Sequence, residues 1–210
     1  MSGLFPYLPV FLDLAGRGAV LLSGAPALVR IARTFLDAGA AVTVIDADIS
    51  PARAELGPAA RLLPRRWRAA DLTGAALVVA GPGEPRAGAA RQAARSVGAF
   101  FAMVGDPDHS EVIFGATAAW GPVAIGVTAS GLAPGLGEAM ARRLEAAVPP
   151  GYAGFLAAAA RQRDAVSAAL PDAADREVFW RVASTQAFDA SAEEIENGWD
   201  AWLLTRLASV

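Results

Sequence analysis

Two short apolar runs near the start of the chain bracket an amphipathic stretch, and the turn between the first run and that stretch constrains the fold most. Ala19-Val20-Leu21-Leu22 reads as a buried strand, Ser23-Gly24-Ala25-Pro26 as a turn, and Ala27 to Ala38 as a helix closed by Gly39-Ala40. Ala41-Val42-Thr43-Val44-Ile45 is the next strand, and Asp46 stands at its end. Strand, tight turn, helix and parallel strand make a βαβ unit, whose dinucleotide-binding form carries G-x-G-x-x-G/A at the turn. In that fingerprint the first glycine makes the tight turn, the second lets backbone approach a pyrophosphate, and the third brings helix close to strand. Here those three places read Ser23, Ala25 and Leu28.

Each replacement has a physical cost. Ser23 takes up positive φ poorly. Ala25 puts a methyl group where backbone meets the ligand. Leu28 either pushes the helix off the sheet or forces a shifted register. Pro26 suits the first helical turn. At ~1–3 kcal/mol per strained backbone position, these changes weaken a dinucleotide site. Asp46 lies where an acid hydrogen-bonds the adenosine ribose, which favours NAD over NADP; it is equally the start of a turn with Asp48 and Ser50.

Further along, strands and helices keep alternating. Ser50-Pro51 places a capping serine and a first-turn proline at a helix start, and Leu62 to Trp67 reads as a short edge strand. Ala75 to Ala80 is a clean buried strand with the loop Gly81-Pro82-Gly83-Glu84-Pro85 at its end. Arg86 to Val97 is a helix, Ala99 to Val104 a strand, and Gly105-Asp106-Pro107-Asp108-His109 a turn. This alternation predicts a doubly wound parallel sheet, with ligands at the C-terminal ends of its strands. Beyond it, Val112-Ile113-Phe114 and Val123 to Val127 read as strands around Ala119-Trp120-Gly121-Pro122. The loop Thr128 to Pro134 leads into a helix over Gly135 to Ala147, and helices are expected over Tyr152 to Leu170, Asp172 to about Ser184, and Ser191 to Leu207. The last opens on Ser191-Ala192-Glu193-Glu194, a capping-box pattern.

Composition narrows the function classes. The net charge of −3 gives no basic footprint for nucleic acid or an anionic membrane. The absence of cysteine removes disulfides, thiolate metal sites and cysteine nucleophiles, and fits the cytoplasm. No segment supplies the ~20 uncharged apolar residues of a membrane span, and the start of the chain lacks the basic region of a secretory signal.

The order of these pieces resembles the precorrin-2 dehydrogenase / sirohydrochlorin ferrochelatase family, the N-terminal module of siroheme synthases. The resemblance runs through Leu8-Pro9-Val10-Phe11-Leu12-Asp13-Leu14, Phe35-Leu36-Asp37-Ala38-Gly39-Ala40 with Val42-Thr43-Val44, and Asp106-Pro107 leading to Val112-Ile113-Phe114. It continues through Gly121-Pro122-Val123-Ala124-Ile125, Ser130-Gly131 with Pro134, and Arg176-Glu177-Val178-Phe179-Trp180. It implies an α/β protein in three parts: a Rossmann-like NAD-binding domain over residues 1–112, a central α+β dimerisation region over 113–150, and a small helical domain over 151–210. It implies oxidation of precorrin-2 to sirohydrochlorin with NAD, ferrous iron as a further substrate in bifunctional members, and a homodimer that exchanges the segment around Val123–Val148.

The resemblance also implies site residues. The family places a key aspartate after the strand that ends here at Met103-Val104; this chain has Gly105 there and Asp106 next. Asp106 is thus an offset base or simply the shaper of an Asp-Pro turn. His109, the one histidine, is a proton shuttle or a plain surface residue. Ser23, Gly24, Ala25, Asp46 and Gly81 are the expected dinucleotide contacts. Thr128, Ser130 and Arg142 are the expected tetrapyrrole contacts, Arg142 and Arg143 being equally suited to the helix dipole. Trp180, Trp199 and Trp202 line a macrocycle pocket or form core, and Arg65, Arg66 and Arg68 form an anion site or a solvated face. Two rival functions stand beside the dehydrogenase: a homologue that carries a tetrapyrrole or metal without catalysis, and a chelatase that needs no dinucleotide.

Overall fold

The computed structural model describes residues 7–120, 123–129, 133, 135–149, 151–191, 193–195 and 198–209. The chain divides into two compact units, Met1–Phe114 with Thr128–Pro134, and Gly115–Val127 with Gly135–Val210.

The first unit is the expected parallel sheet. Its strands β1 (Gly18–Leu21), β2 (Ala41–Asp46), β3 (Arg61–Pro64), β4 (Ala75–Ala80) and β5 (Phe100–Met103) lie in the order β3-β2-β1-β4-β5. Alternate side chains feed two cores. Ala19, Leu21, Val42, Val44, Leu77 and Val79 face one side, where helix α1 (Pro26–Asp37) contributes Leu28, Val29, Ala32 and Phe35. Val20, Leu22, Ile45, Val78, Ala80 and Phe101 face the other, where α3 (Ala87–Ser96) buries Ala90 and Ala94 and packs Ala93 beside them. Burial on both faces explains the nearly unbroken apolar runs of β1 and β4. α1 ends as the sequence predicts: Gly39 takes φ 77°, and Ala40 N–H returns to Phe35 O.

Four local expectations need correction. The helix α2 (Ser50–Leu56) includes Ser50 within its first turn, and the Asp48 side chain, not the serine, holds the Ser50 N–H at 2.9 Å. Strand β3 stops at Pro64, and Trp67 turns into the core at 6 % exposure. Val112 to Phe114 form no strand: Val112 joins the α1-side core and Phe114 meets the Phe35 ring edge-on at 5.6 Å. The strand pattern begins two residues later, at Ala116. The Ser191–Glu194 capping bonds form at 2.9 and 3.3 Å, over a turn that includes residues 193–195, and the last helix is described from Gly198.

In the second unit, β6 (Ala116–Trp120) and β7 (Val123–Val127) pair antiparallel. Helix α4 (Leu136–Ala147) lies against them, with a Cβ at Gly137 placed 3.3 Å from Val127 O. Helices α5 (Tyr152–Ala169), α6 (Ala173–Asp189) and α7 (Gly198–Leu207) surround an aromatic core; α6 runs five residues past the expected Ser184. Phe155 packs edge-on against Trp199 and Trp202 at 5.5 and 5.9 Å, and Phe179 against Trp180 at 5.2 Å. These tryptophans take the core role. Among the described residues no helix is long and apolar enough to cross a membrane.

Two stability predictions follow from this packing. A Cβ at Gly154 would lie 2.7 Å from Cδ1 of Trp199, so Gly154→Ala should cost about 1–3 kcal/mol in denaturant titrations. Gly88 in α3 meets nothing within 4 Å, and Gly88→Ala should add about 0.5–1 kcal/mol. Separately, the fork of Arg65 and the Arg68 N–H hold the Asp71 carboxyl down at about 2. A depressed folded-state value stabilises above the unfolded carboxyl range and is lost as pH falls towards that value. Asp71→Asn should therefore cost on the order of 1 kcal/mol at neutral pH. Titrations repeated at acid pH should show that difference shrinking.

Candidate functional site

The C-terminal ends of β1, β2 and β4 converge. Gly24 N–H donates to Asp46 Oδ2 at 2.7 Å, and Asp48 N–H reaches Asp46 Oδ1 at 3.3 Å. Ser23 Oγ accepts the Ala25 N–H at 3.1 Å. Gly24 is buried, and a Cβ there would sit 2.6 Å from Asp48 O. The glycine is thus required by the neighbouring loop of its own fold. Gly81 is flush in the same way: a Cβ there would meet Ser23 Cβ at 3.2 Å and Leu28 Cδ1 at 3.6 Å.

Of the register change expected from Leu28, the β1–β4 ladder shows a shift only at the far end of the strand, between Gly18 and Ala19. β1 keeps its pairing of Leu21 with Val79, Leu22 N–H continues the ladder to Val79 O at 2.8 Å, and Leu28 is fully buried. Its Cδ1 lies beside Gly81, at ordinary contact distance from where a Cβ there would be. Five sequence-predicted residues, Ser23, Gly24, Ala25, Asp46 and Gly81, are therefore one connected group.

The group fits a dinucleotide at the ribose end. Asp46 is half-buried and aimed by two amides, and its carboxylate keeps lone pairs for hydroxyl donors. The phosphate end is leaner. The Gly24 amide is engaged by Asp46 and the Ala25 amide by Ser23, and Pro26 has none, so Ala27 N–H, the Ser23 hydroxyl proton and the α1 dipole remain for an anion.

Beyond β5 the chain builds a second group. Gly105 turns with φ 83°, which a side-chain-bearing residue adopts at a cost. This places the carboxyl one residue later. Asp106 Oδ2 lies 2.7 Å from His109 Nδ1, and Asp106 Oδ1 accepts the His109 N–H at 3.2 Å. With Nδ1 facing the carboxylate, the imidazole is 66 % exposed and turns Nε2 outward. A carboxylate that fixes one ring nitrogen and leaves the other to the ligand is the arrangement of a general base. The two residues expected singly are thus brought together as a pair.

The sequence reading missed what holds that pair. Ser110 Oγ accepts Met103 N–H at 2.9 Å and donates to Asp106 O at 2.7 Å. Glu111 N–H donates to Phe101 O at 2.8 Å, and its Oε2 accepts Phe101 N–H at 3.1 Å. Burial pushes the Glu111 carboxyl up, but Arg95, the Phe101 amide and Arg91 outweigh it and hold it below its ordinary value. Tyr7 O–H donates to Pro107 O at 2.8 Å. For Ser110 and Glu111 the one sequence signal is their position just after the turn.

Near the end of β4, Glu84 accepts Trp67 Nε1–H at 3.1 Å, and the Arg86 guanidinium lies 4.2 Å above the Trp67 ring. Of the arginine trio, Arg65 is bound to Asp71 at 2.7 Å while Arg66 and Arg68 stay exposed. Thr128 is half-buried beyond β7, Arg142 is exposed on α4 in the second unit, and Ser130 lies outside the described residues. Among the described residues no group of three or more His, Asp or Glu could hold a metal ion.

Residues 10–116 match the NAD_binding_7 family model, whose description reads "Putative NAD(P)-binding". The chain is 34 % identical over 175 residues to "Siroheme synthase 2" of Aeromonas salmonicida (strain A449), covering 83 % of this chain and 36 % of that protein. It is 35 % identical over 177 residues to "Siroheme synthase" of Azotobacter vinelandii (strain DJ / ATCC BAA-1303), covering 83 % and 38 %. It thus spans under two fifths of the length of these relatives. The solved structure of "SirC, precorrin-2 dehydrogenase" shares the fold, with a TM-score of 0.71 at 16 % identity over 97 % of this chain and 100 % of that one. A parallel sheet matched by the family model along half of the sequence makes this chain a member of that NAD(P)-binding family, homologous to the siroheme synthases.

Proposed function

We propose that this chain oxidises precorrin-2 to sirohydrochlorin with NAD, and that it also inserts ferrous iron into the product. The observation that carries the reading is the Asp106–His109 pair at the C-terminal end of β5. Kinship with siroheme synthases and a fold shared with a precorrin-2 dehydrogenase support it.

NAD, when bound, supplies an acceptor for hydride. Asp46 would hold the adenosine ribose; Ser23, Gly24, Ala25 and Gly81 would shape the phosphate end, where the Ala27 amide and the Ser23 hydroxyl meet the charge. Oxidation of the ring releases a proton along with the hydride. His109 Nε2 takes that proton while Asp106 stabilises the imidazolium through Nδ1. The same pair removes pyrrole protons as ferrous iron enters. Thr128, Ser130 and Arg142 would meet the substrate, Arg142 through its carboxylates.

A homodimer belongs to this reading, in a cytoplasmic setting. Leu136, Met140 and Leu144 recur at helical spacing on α4 and are 46, 46 and 40 % exposed. Such an apolar seam supports an interface. Met140→Glu should lower the apparent mass in sedimentation to that of one chain; an unchanged mass would refute the seam.

One observation favours a second reading. The amides of Gly24 and Ala25 are already bonded, to Asp46 and to Ser23, which suits a chelatase or a tetrapyrrole carrier that takes no dinucleotide. Titrating NAD against tryptophan fluorescence separates the two. The dehydrogenase gives saturable quenching and NAD-dependent absorbance change with precorrin-2; a carrier or chelatase binds sirohydrochlorin and ignores NAD. Asp106→Ala and His109→Ala should each lower turnover by about 10²-fold. Rates equal to the parent chain would eliminate the pair as the base.

A further inference from the structure

We infer that Ser110 is a positioning residue: its hydroxyl fastens the Asp106 turn to the open edge of β5 and so fixes where His109 presents Nε2. The kinetic consequence rests on the function proposed above, whereas the geometric one does not. Strand β5 ends the sheet, so its outer ladder groups have no neighbouring strand. Ser110 and Glu111 take that place with side chains as well as backbone. Ser110 Oγ accepts Met103 N–H at 2.9 Å, Glu111 Oε2 accepts Phe101 N–H at 3.1 Å, and Glu111 N–H reaches Phe101 O at 2.8 Å. The serine hydroxyl has one proton, and the shorter of its two acceptors is Asp106 O at 2.7 Å, against 3.2 Å to Met103 O. One oxygen thus joins the last residue of the strand to the residue that orients the imidazole. Ser110 N–H closes the turn on Pro107 O at 3.1 Å, and Asp106 N–H closes it on Met103 O at 3.1 Å.

Removing the hydroxyl leaves Met103 N–H without its acceptor and Asp106 O without its donor. The backbone bonds still close the turn, so the fold should persist while the aim of the Asp106 carboxylate relaxes. A merely structural serine would change stability and leave the imidazole environment alone.

His109 is the one histidine in the chain, so its ring gives a single, self-assigned NMR signal. The test compares that signal in the full chain with Ser110→Ala, Ser110→Thr and Asp106→Asn. The proposal expects Ser110→Ala to move the imidazole resonance towards its position in Asp106→Asn, and Ser110→Thr to leave it in place. With precorrin-2 and NAD, Ser110→Ala should lower kcat about tenfold with KM little changed, and Ser110→Thr should restore kcat. An imidazole signal unmoved in Ser110→Ala but moved in Asp106→Asn overturns the proposal. Should Ser110→Ala not fold, Ser110→Cys carries the same comparison, since it keeps the volume and weakens both hydrogen bonds. Absence of turnover in the parent chain would sink the dehydrogenase reading and leave the spectroscopic comparison to decide the role of Ser110.

Discussion

Strand β1 is sealed on both faces, and the organisation of the first unit follows from that. Its side chains Ala19, Val20 and Leu21 are at most 5 % exposed, and β2 and β4 flank it in parallel. A strand buried in this way has no place for polar chemistry along its length. Polar groups gather where the strands stop. That is why the acid of β2, the flush glycine of β4 and the turn of β1 meet, and why the carboxylate–imidazole pair stands at the end of β5.

The altered phosphate turn shows how a fold absorbs substitutions that break a local rule. Read alone, Leu28 is incompatible with close packing of α1. In the structure it is buried in the core beneath α1, with Cδ1 beside Gly81, a residue more than fifty positions away in the chain. Gly24 likewise answers to Asp48 O, which leaves no space for a Cβ. These are contacts between loops that the topology brings together, and they decide whether a missing glycine strains the backbone or merely moves the space elsewhere.

The sheet and its order of elements were legible because buried parallel strands read as apolar runs and helix ends announce themselves, as at Gly39. The positions of Asp46, Asp106 and His109 at strand ends were legible for the same reason. What escaped sequence reading depends on side-chain geometry at a distance. Val112 and Phe114 looked like a strand because their apolar spacing is the same whether they pair with a neighbour or pack on Phe35. Ser50 looked like a cap because Asp48 does that work from two residues away. Ser110 and Glu111 gave no signal beyond following the turn, since nothing local marks a serine or glutamate whose partner is the backbone of a preceding strand.

The treatment of the sheet margins carries a consequence for how the protein behaves when crowded. On one side the ladder of β5 is ended by the hydroxyl of Ser110 and the carboxylate of Glu111. On the other, β3 is four residues long, with Arg61 and Pro64 exposed at its two ends. A charge, a ring without an N–H and two ladder positions taken by side chains offer poor templates for strand addition. Both margins of the five-stranded sheet thus make poor templates for foreign backbone, and on the β5 side the residues that close the ladder are the ones that seat the imidazole.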